Sequence, residues 1–82
     1  MERVEIYGWT VQAAGGWRAV AIAVRSNHPE RQRRLMYTGK TAEEAVQALA
    51  RLTSILSTTC RRRGKRVVLR LLKEPPPGMA AG

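Results

Sequence analysis

The sequence predicts an α+β fold in the order β-β-β-α-β, a small and mostly antiparallel sheet with one helix packed on one face. Three observations predict it. Two runs rich in β-branched and aromatic residues flank Ala14-Gly15-Gly16; Thr41-Ala42-Glu43-Glu44 has the spacing of a helix capping box; and Lys65 to Leu72 is a short aliphatic run stopped by three prolines. With 82 residues the chain has interior for one hydrophobic core, so a single domain over 1–74 is expected, with 75–82 as a disordered Pro/Gly/Ala tail.

The first strand is read from Val4 to Ala13 and the second from Trp17 to Arg25, joined by a Gly-Gly turn that supplies positive φ. Alternation along the second strand sends Val20, Ile22 and Val24 to one face and Trp17, Ala19, Ala21, Ala23 and Arg25 to the other. The bulkier set is expected to face the core. Ser26 to Arg33 is a polar loop in which Asn27 and Pro29 disfavour a continued ladder. A third strand over Arg34 to Thr38 then matches Leu35 and Tyr37 to the core face, with Gly39-Lys40 closing it.

The helix begins at Thr41, whose hydroxyl takes an orphan amide while Glu44 is expected to reach back to the cap's own N–H. Glu43 and Glu44 also suit the positive end of the helix dipole. Ala42, Ala45, Val46, Leu49, Leu52, Thr53, Leu56 and Cys60 recur at three- and four-residue steps and predict one apolar stripe. Arg61-Arg62-Arg63 places positive charge at the negative end of the dipole, and Gly64 is suited to terminate the helix. The fourth strand covers Lys65 to Leu72.

Catalytic chemistry is poorly provided for. The chain has no Asp, a residue most carboxylate-based hydrolases and two-metal nucleases use as ligand or base, and His28 stands alone in a polar loop. Gly15-Gly16 joins two strands and does not open a helix, so it is a turn and not a phosphate loop. One cysteine, Cys60, can form neither an intrachain disulfide nor a cysteine metal site, and a small hydrophobic role near the helix end is expected for it. No catalytic residue, metal site or cofactor is expected, and the protein is read as no enzyme. No apolar run approaches the ~20 residues needed to cross a bilayer, and a reducing, cytoplasmic setting without membrane contact is expected.

The charge points instead to a polyanionic partner. Twelve Arg and three Lys against six Glu give a net charge of +9, and such a field attracts nucleic acid by counterion release and steering. Arginine's planar fork suits phosphate oxygens and guanine edges better than an ammonium does. One basic group comprises Arg25, Arg31, Arg33, Arg34 and Lys40; another comprises Arg61, Arg62, Arg63, Lys65 and Arg66; Arg18 and Arg70 are expected on strands between them. If the groups converge they form a phosphate-tracking surface on which Trp9 or Trp17 can stack. The sheet face away from the helix is expected to carry Trp17, Ala19, Ala21, Ala23, Met36, Val68 and Leu72 among Arg25, Arg34 and Arg70, an apolar face suited to a second copy, another protein or nucleic acid.

Residues 15 to 52, from Gly-Gly-Trp-Arg-Ala through Glu-Arg-Gln-Arg-Arg to Thr-Ala-Glu-Glu-Ala, resemble the arm-binding N-terminal domain of phage-type tyrosine integrases. That resemblance implies a sheet that enters the DNA major groove, with Trp17 and Arg18 opening the second strand and Arg31, Arg33 and Arg34 forming the basic turn and third strand. A fourth strand stands here where that family runs into its next domain. The complete element order is also similar to the HicB antitoxin fold, a reduced ribonuclease H core, with Val4-Glu5-Ile6-Tyr7 as its first strand and Val67-Val68-Leu69-Arg70 as its fourth. The missing Asp residues mean that this second resemblance implies no nuclease. The leading expectation is a DNA- or RNA-binding accessory module of a phage or mobile element, DNA favoured. The alternative is a protein-interaction module, HicB-like or anti-CRISPR-like, acting through its sheet face.

Overall fold

Alternating apolar residues zip into an antiparallel hairpin of β1 (Arg3–Ala13) and β2 (Gly16–Arg25) in a computed structural model that describes residues 2–77. The remaining elements are β3 (Gln32–Gly39), α1 (Ala42–Arg62) and β4 (Arg66–Leu71), so the β-β-β-α-β order of a small α+β domain holds. Strand order across the sheet is β3-β2-β1-β4; β2 is antiparallel to both its neighbours, and β4 lies parallel to β1. The helix thus carries the chain from one edge of the sheet to the other. Among the described residues no helix is long and apolar enough to cross a membrane.

Both ends of α1 are built from side-chain and backbone capping. Thr41 Oγ1 accepts from the Glu44 N–H at 3.1 Å, as a capping box requires. Glu44 Oε2, however, accepts from the Lys40 N–H at 3.0 Å, one residue upstream of the expected cap amide. At the other end, Lys65 N–H donates to Cys60 O and Gly64 N–H to Arg61 O, with Gly64 at φ 74°. These two bonds form a Schellman motif, which needs the left-handed conformation that glycine adopts without strain. The same motif turns the chain sharply into β4.

The face of β2 that meets the helix is the reverse of the expected one. Ala19, Ala21 and Ala23 are buried under α1 with Val4, Ile6, Ala45, Ala48 and Leu56, while Val20 and Ile22 pack with Trp9 on the far side. Helix approach distance decides this. The helix crosses the two central strands with Ala45 and Ala48 beneath it, and alanines opposite them let the backbones come close. Gly8 on β1 continues this floor: a Cβ there would lie 3.0 Å from Leu49 Cδ1 and 3.2 Å from Thr53 Cγ2. Trp17 is therefore half-buried on the helix side and not a member of an open face.

Two members of the predicted helical stripe also fall outside the core. Ala42 is exposed at the first turn, and Val46 is 57% exposed because α1 leans toward β2 and β1 and covers β4 least. Element boundaries shift by one or two residues, most at β3, which starts at Gln32 within the expected loop. Pro75 and Pro76 are half-buried after β4 in no regular element, and residues 78–82 of the expected tail lie outside the described residues.

Candidate nucleic-acid interface

Four chain segments meet at one end of the sheet, where β1 begins, β2 ends, β3 begins and α1 turns into β4. Arg33 points to the helix side because it pairs with Ala23 in the β2–β3 register. Arg31 precedes it at the end of the loop, Arg25 closes β2, Arg63 is the C-cap of α1, and Lys65 follows the Schellman glycine. These five cationic side chains line one cleft of about 190 Å³ together with Gln32, Thr59 and Cys60, over an apolar floor of Val4, Ala23 and Leu56. Cys60 is half-buried and packs against the Val4–Leu56 cluster, the small hydrophobic role its position suggests.

One carboxylate divides the rim. Glu2 Oε1 lies 3.0 Å from Arg25 Nη2 and 3.2 Å from Lys65 Nζ, and both Glu2 oxygens accept from Arg25 Nε. The Arg25 guanidinium, then Lys65, holds the Glu2 carboxyl at about 2, well below its ordinary 4.5. Arg25 and Lys65 are thus held in place by one carboxylate, which offsets one of their two charges. Among the described residues no ion pair engages Arg31, Arg33 or Arg63. An anion entering the cleft meets three uncompensated guanidiniums, whose forks suit tetrahedral phosphate oxygens.

The two predicted basic groups converge only in part. Arg18, Arg34, Arg66 and Arg70 alternate onto the helix-free face, and Lys40 lies at the opposite end of β3 from the cleft. Arg61 and Arg62 are exposed in the last helical turn without lining the cleft. On the helix-free face Arg70 and Arg3 flank Glu5, at 3.7 and 3.3 Å, and Glu5 also accepts from the Tyr7 hydroxyl. The Tyr7 hydrogen bond first, then Arg70 and Arg3, holds the Glu5 carboxyl below its ordinary value, and the same bond raises the Tyr7 phenol.

The aromatic stacking residues do not survive as a set. Trp9 is 1% exposed, wedged among Val20, Ile22, Tyr7, Val11, Val24 and Leu72, so no base can stack on it. Of Trp9, Trp17 and Met36, only Met36 stands open, at 52%. No family model, curated protein or solved structure matches this chain.

Sequence reasoning missed Glu2, which looked like one of several scattered carboxylates. Its signal was available in the parallel β1–β4 pairing, which brings the residue before β1 beside Lys65; that pairing is a tertiary fact and not a local one. Arg3 was also missed, although its partner Glu5 lies two residues on in the same strand, where alternation puts both on one face. His28 Nδ1 sits 3.4 Å from Glu30 Oε1, both exposed, in the loop before β3. Among the described residues no group of three or more His, Cys, Asp or Glu could hold a metal ion.

Proposed function

We propose that this chain is a non-enzymatic nucleic-acid-binding accessory module that grips phosphates in the cleft at the C-terminal end of α1. The observation that carries the reading is the meeting of Arg31, Arg33 and Arg63 in one cleft, with no carboxylate paired to them among the described residues. Arg61 and Arg62 extend the same positive field along the helix end, and the net charge of +9 draws a polyanion toward it. DNA is favoured over RNA, and a phage or mobile element as the source, on the likeness of residues 15 to 52 to integrase arm-binding domains. A cytoplasmic setting follows from the partner.

A salt-titrated binding assay on duplex DNA and duplex RNA tests it. Affinity should fall steeply with salt for the preferred duplex, and Arg33→Ala should weaken it more than Arg51→Ala, which alters an exposed mid-helix cation away from the cleft. Absence of binding to either duplex near physiological salt refutes the reading.

A second reading, a protein-interaction module, is favoured by Met36 on the helix-free face and by Leu69 and Leu71 on β4, all exposed. The helix-free face itself gives it less support than its sequence promised. Three of its apolar side chains, Trp9, Val20 and Ile22, are already buried against one another.

A further inference from the structure

β4 is an edge strand whose free side is unusual for this chain. In its ladder with β1, Arg66 N–H donates to Glu2 O at 3.0 Å and Leu72 N–H to Gly8 O at 2.8 Å. Backbone groups alternate sides along a strand, so Arg66, Val68, Arg70 and Leu72 turn toward β1, and Val67, Leu69 and Leu71 turn their N–H and C=O groups to the open edge. Those same three residues carry their side chains on the helix side. Leu69 is 48% and Leu71 63% exposed there, and Val46 lies exposed on α1 one turn before Leu49, which crowds Gly8 together with Leu71. Among the described residues no strand pairs with that edge, and an unpaired edge flanked by exposed leucines is a template for another strand.

We propose that β4 pairs antiparallel with β4 of a second copy, joining two four-stranded sheets across a two-fold axis. This inference does not depend on nucleic-acid binding. The choice of a second copy rests on register. Outward-facing residues pair only with outward-facing residues, which leaves three central registers. With Val68 opposite itself, Arg66 faces Arg70 twice; with Arg70 opposite itself, two guanidiniums meet on the axis; both set like charges directly across the seam. With Leu69 opposite itself, Val67 meets the second copy's Leu71 and Val68 meets Arg70. This register sets apolar residues against one another on the helix side and places no like charges opposite within the strand.

The other edge offers no equal. β3 carries Arg33 and Arg34 side by side, with Arg31 and Lys40 at its ends; β4 has as many cations, Arg66 and Arg70 within it and Lys65 and Lys73 at its ends, but its outward-bonding residues Val67, Leu69 and Leu71 are all apolar. A seam of one short strand is small beside the ~1,600 Å² of a stable interface, so the dimer is weak and its population depends on concentration.

Sedimentation equilibrium from low micromolar to millimolar protein tests the proposal, with no nucleic acid present. The mass should rise from 9.1 kDa toward twice that value. Leu69→Lys sets a charge against itself on the axis and should weaken association at least tenfold, while Met36→Lys, on the far side of the sheet, should leave it unchanged. A second arm does not depend on the lysine variant folding. On a Cys60→Ser background, Leu69→Cys should cross-link into a disulfide dimer under mild oxidation, because opposed residues of such a pair lie about 5.5 Å apart at Cα; Met36→Cys should not. A strict monomer at millimolar concentration overturns the proposal, as does undiminished association in folded Leu69→Lys or equal cross-linking from both cysteine positions.

Discussion

Arg33→Ala tests the cleft with one side chain. Arg33 leaves β3 on the helix side, lines the cleft and is held by no carboxylate among the described residues, so its removal takes away one free cation and breaks no ion pair. If Arg31, Arg33 and Arg63 each neutralise one duplex phosphate, log affinity falls against log salt with a slope of about −2.7, at about −0.9 per phosphate. A fourfold rise in salt then weakens binding about 40-fold in the wild type and only about 12-fold in Arg33→Ala, whose slope is about −1.8. Glu2→Gln works in the other direction. It removes the one negative charge shared by Arg25 and Lys65, which adds one net positive charge and steepens the slope toward about −3.6. Fluorescence anisotropy of a labelled duplex across a salt series reads all three, with circular dichroism confirming the fold of each variant. A slope that Arg33→Ala leaves unchanged and Glu2→Gln fails to steepen would falsify the assignment of the cleft as the phosphate grip.

Three further outcomes probe the fold beneath the site. Thr41→Ala removes the hydroxyl that accepts from the Glu44 amide, and should lower stability by about 1 kcal/mol in urea denaturation; an unchanged midpoint would show the cap to be dispensable. Gly8→Val forces branched bulk against Leu49, Leu71 and Thr53 side-chain carbons already 3.0 to 3.2 Å from a bare Cβ, and should destabilise by about 1–3 kcal/mol, read as a lower Tm. The pH dependence of stability should carry the mark of Glu2. Its carboxyl is lowered from 4.5 to about 2, so its contribution is complete above about 4.5 and is lost as pH falls toward 2. Thermal melts between those pH values should therefore slope less steeply in Glu2→Gln, with Glu5, lowered in the same sense, supplying the remainder. Identical slopes in the two proteins would remove Glu2 from the account.

The parts of the fold legible in sequence are those governed by local chemistry. Thr41 and Glu44 announce the helix start, Gly64 its end, and Gly15-Gly16 the hairpin, although the turn falls one residue earlier on Ala14-Gly15, with Gly15 at φ 78° and Gly16 already in β2. The face that each strand turns to the helix was not legible from hydrophobicity, because bulk ranked Val20 and Ile22 above Ala19, Ala21 and Ala23. What decided the matter was backbone proximity: α1 brings Ala45 and Ala48 down onto β2, where only small residues fit. The cleft was half legible. Both basic groups could be named from their runs of arginine, but the division of Arg33 from Arg34, adjacent in sequence and on opposite faces, depends on the register of β3 against β2. The position of Glu2 between Arg25 and Lys65 depends on β4 lying parallel beside β1. These are long-range pairings, and no local pattern in the chain encodes them.

The cleft and the β4 edge can be told apart by the sign of their response to salt. If Arg31, Arg33 and Arg63 bind phosphate as proposed, that binding releases counterions and must weaken as salt rises. Pairing of two chains that each carry a net charge of +9 is opposed by their mutual repulsion, which salt screens over a Debye length of about 10 Å at 0.1 M. Dimerisation through Leu69 and Leu71 should therefore strengthen over the same salt range in which duplex binding fades. A polyanion bound in the cleft acts on the second equilibrium as salt does, because it neutralises the charge that holds the copies apart. Short duplex at low salt should then raise the dimer fraction in the wild type and fail to do so in Leu69→Lys, whose cleft is intact. If duplex raises the apparent mass equally in both proteins, the copies are gathered by the nucleic acid alone and the edge strand has no part in it.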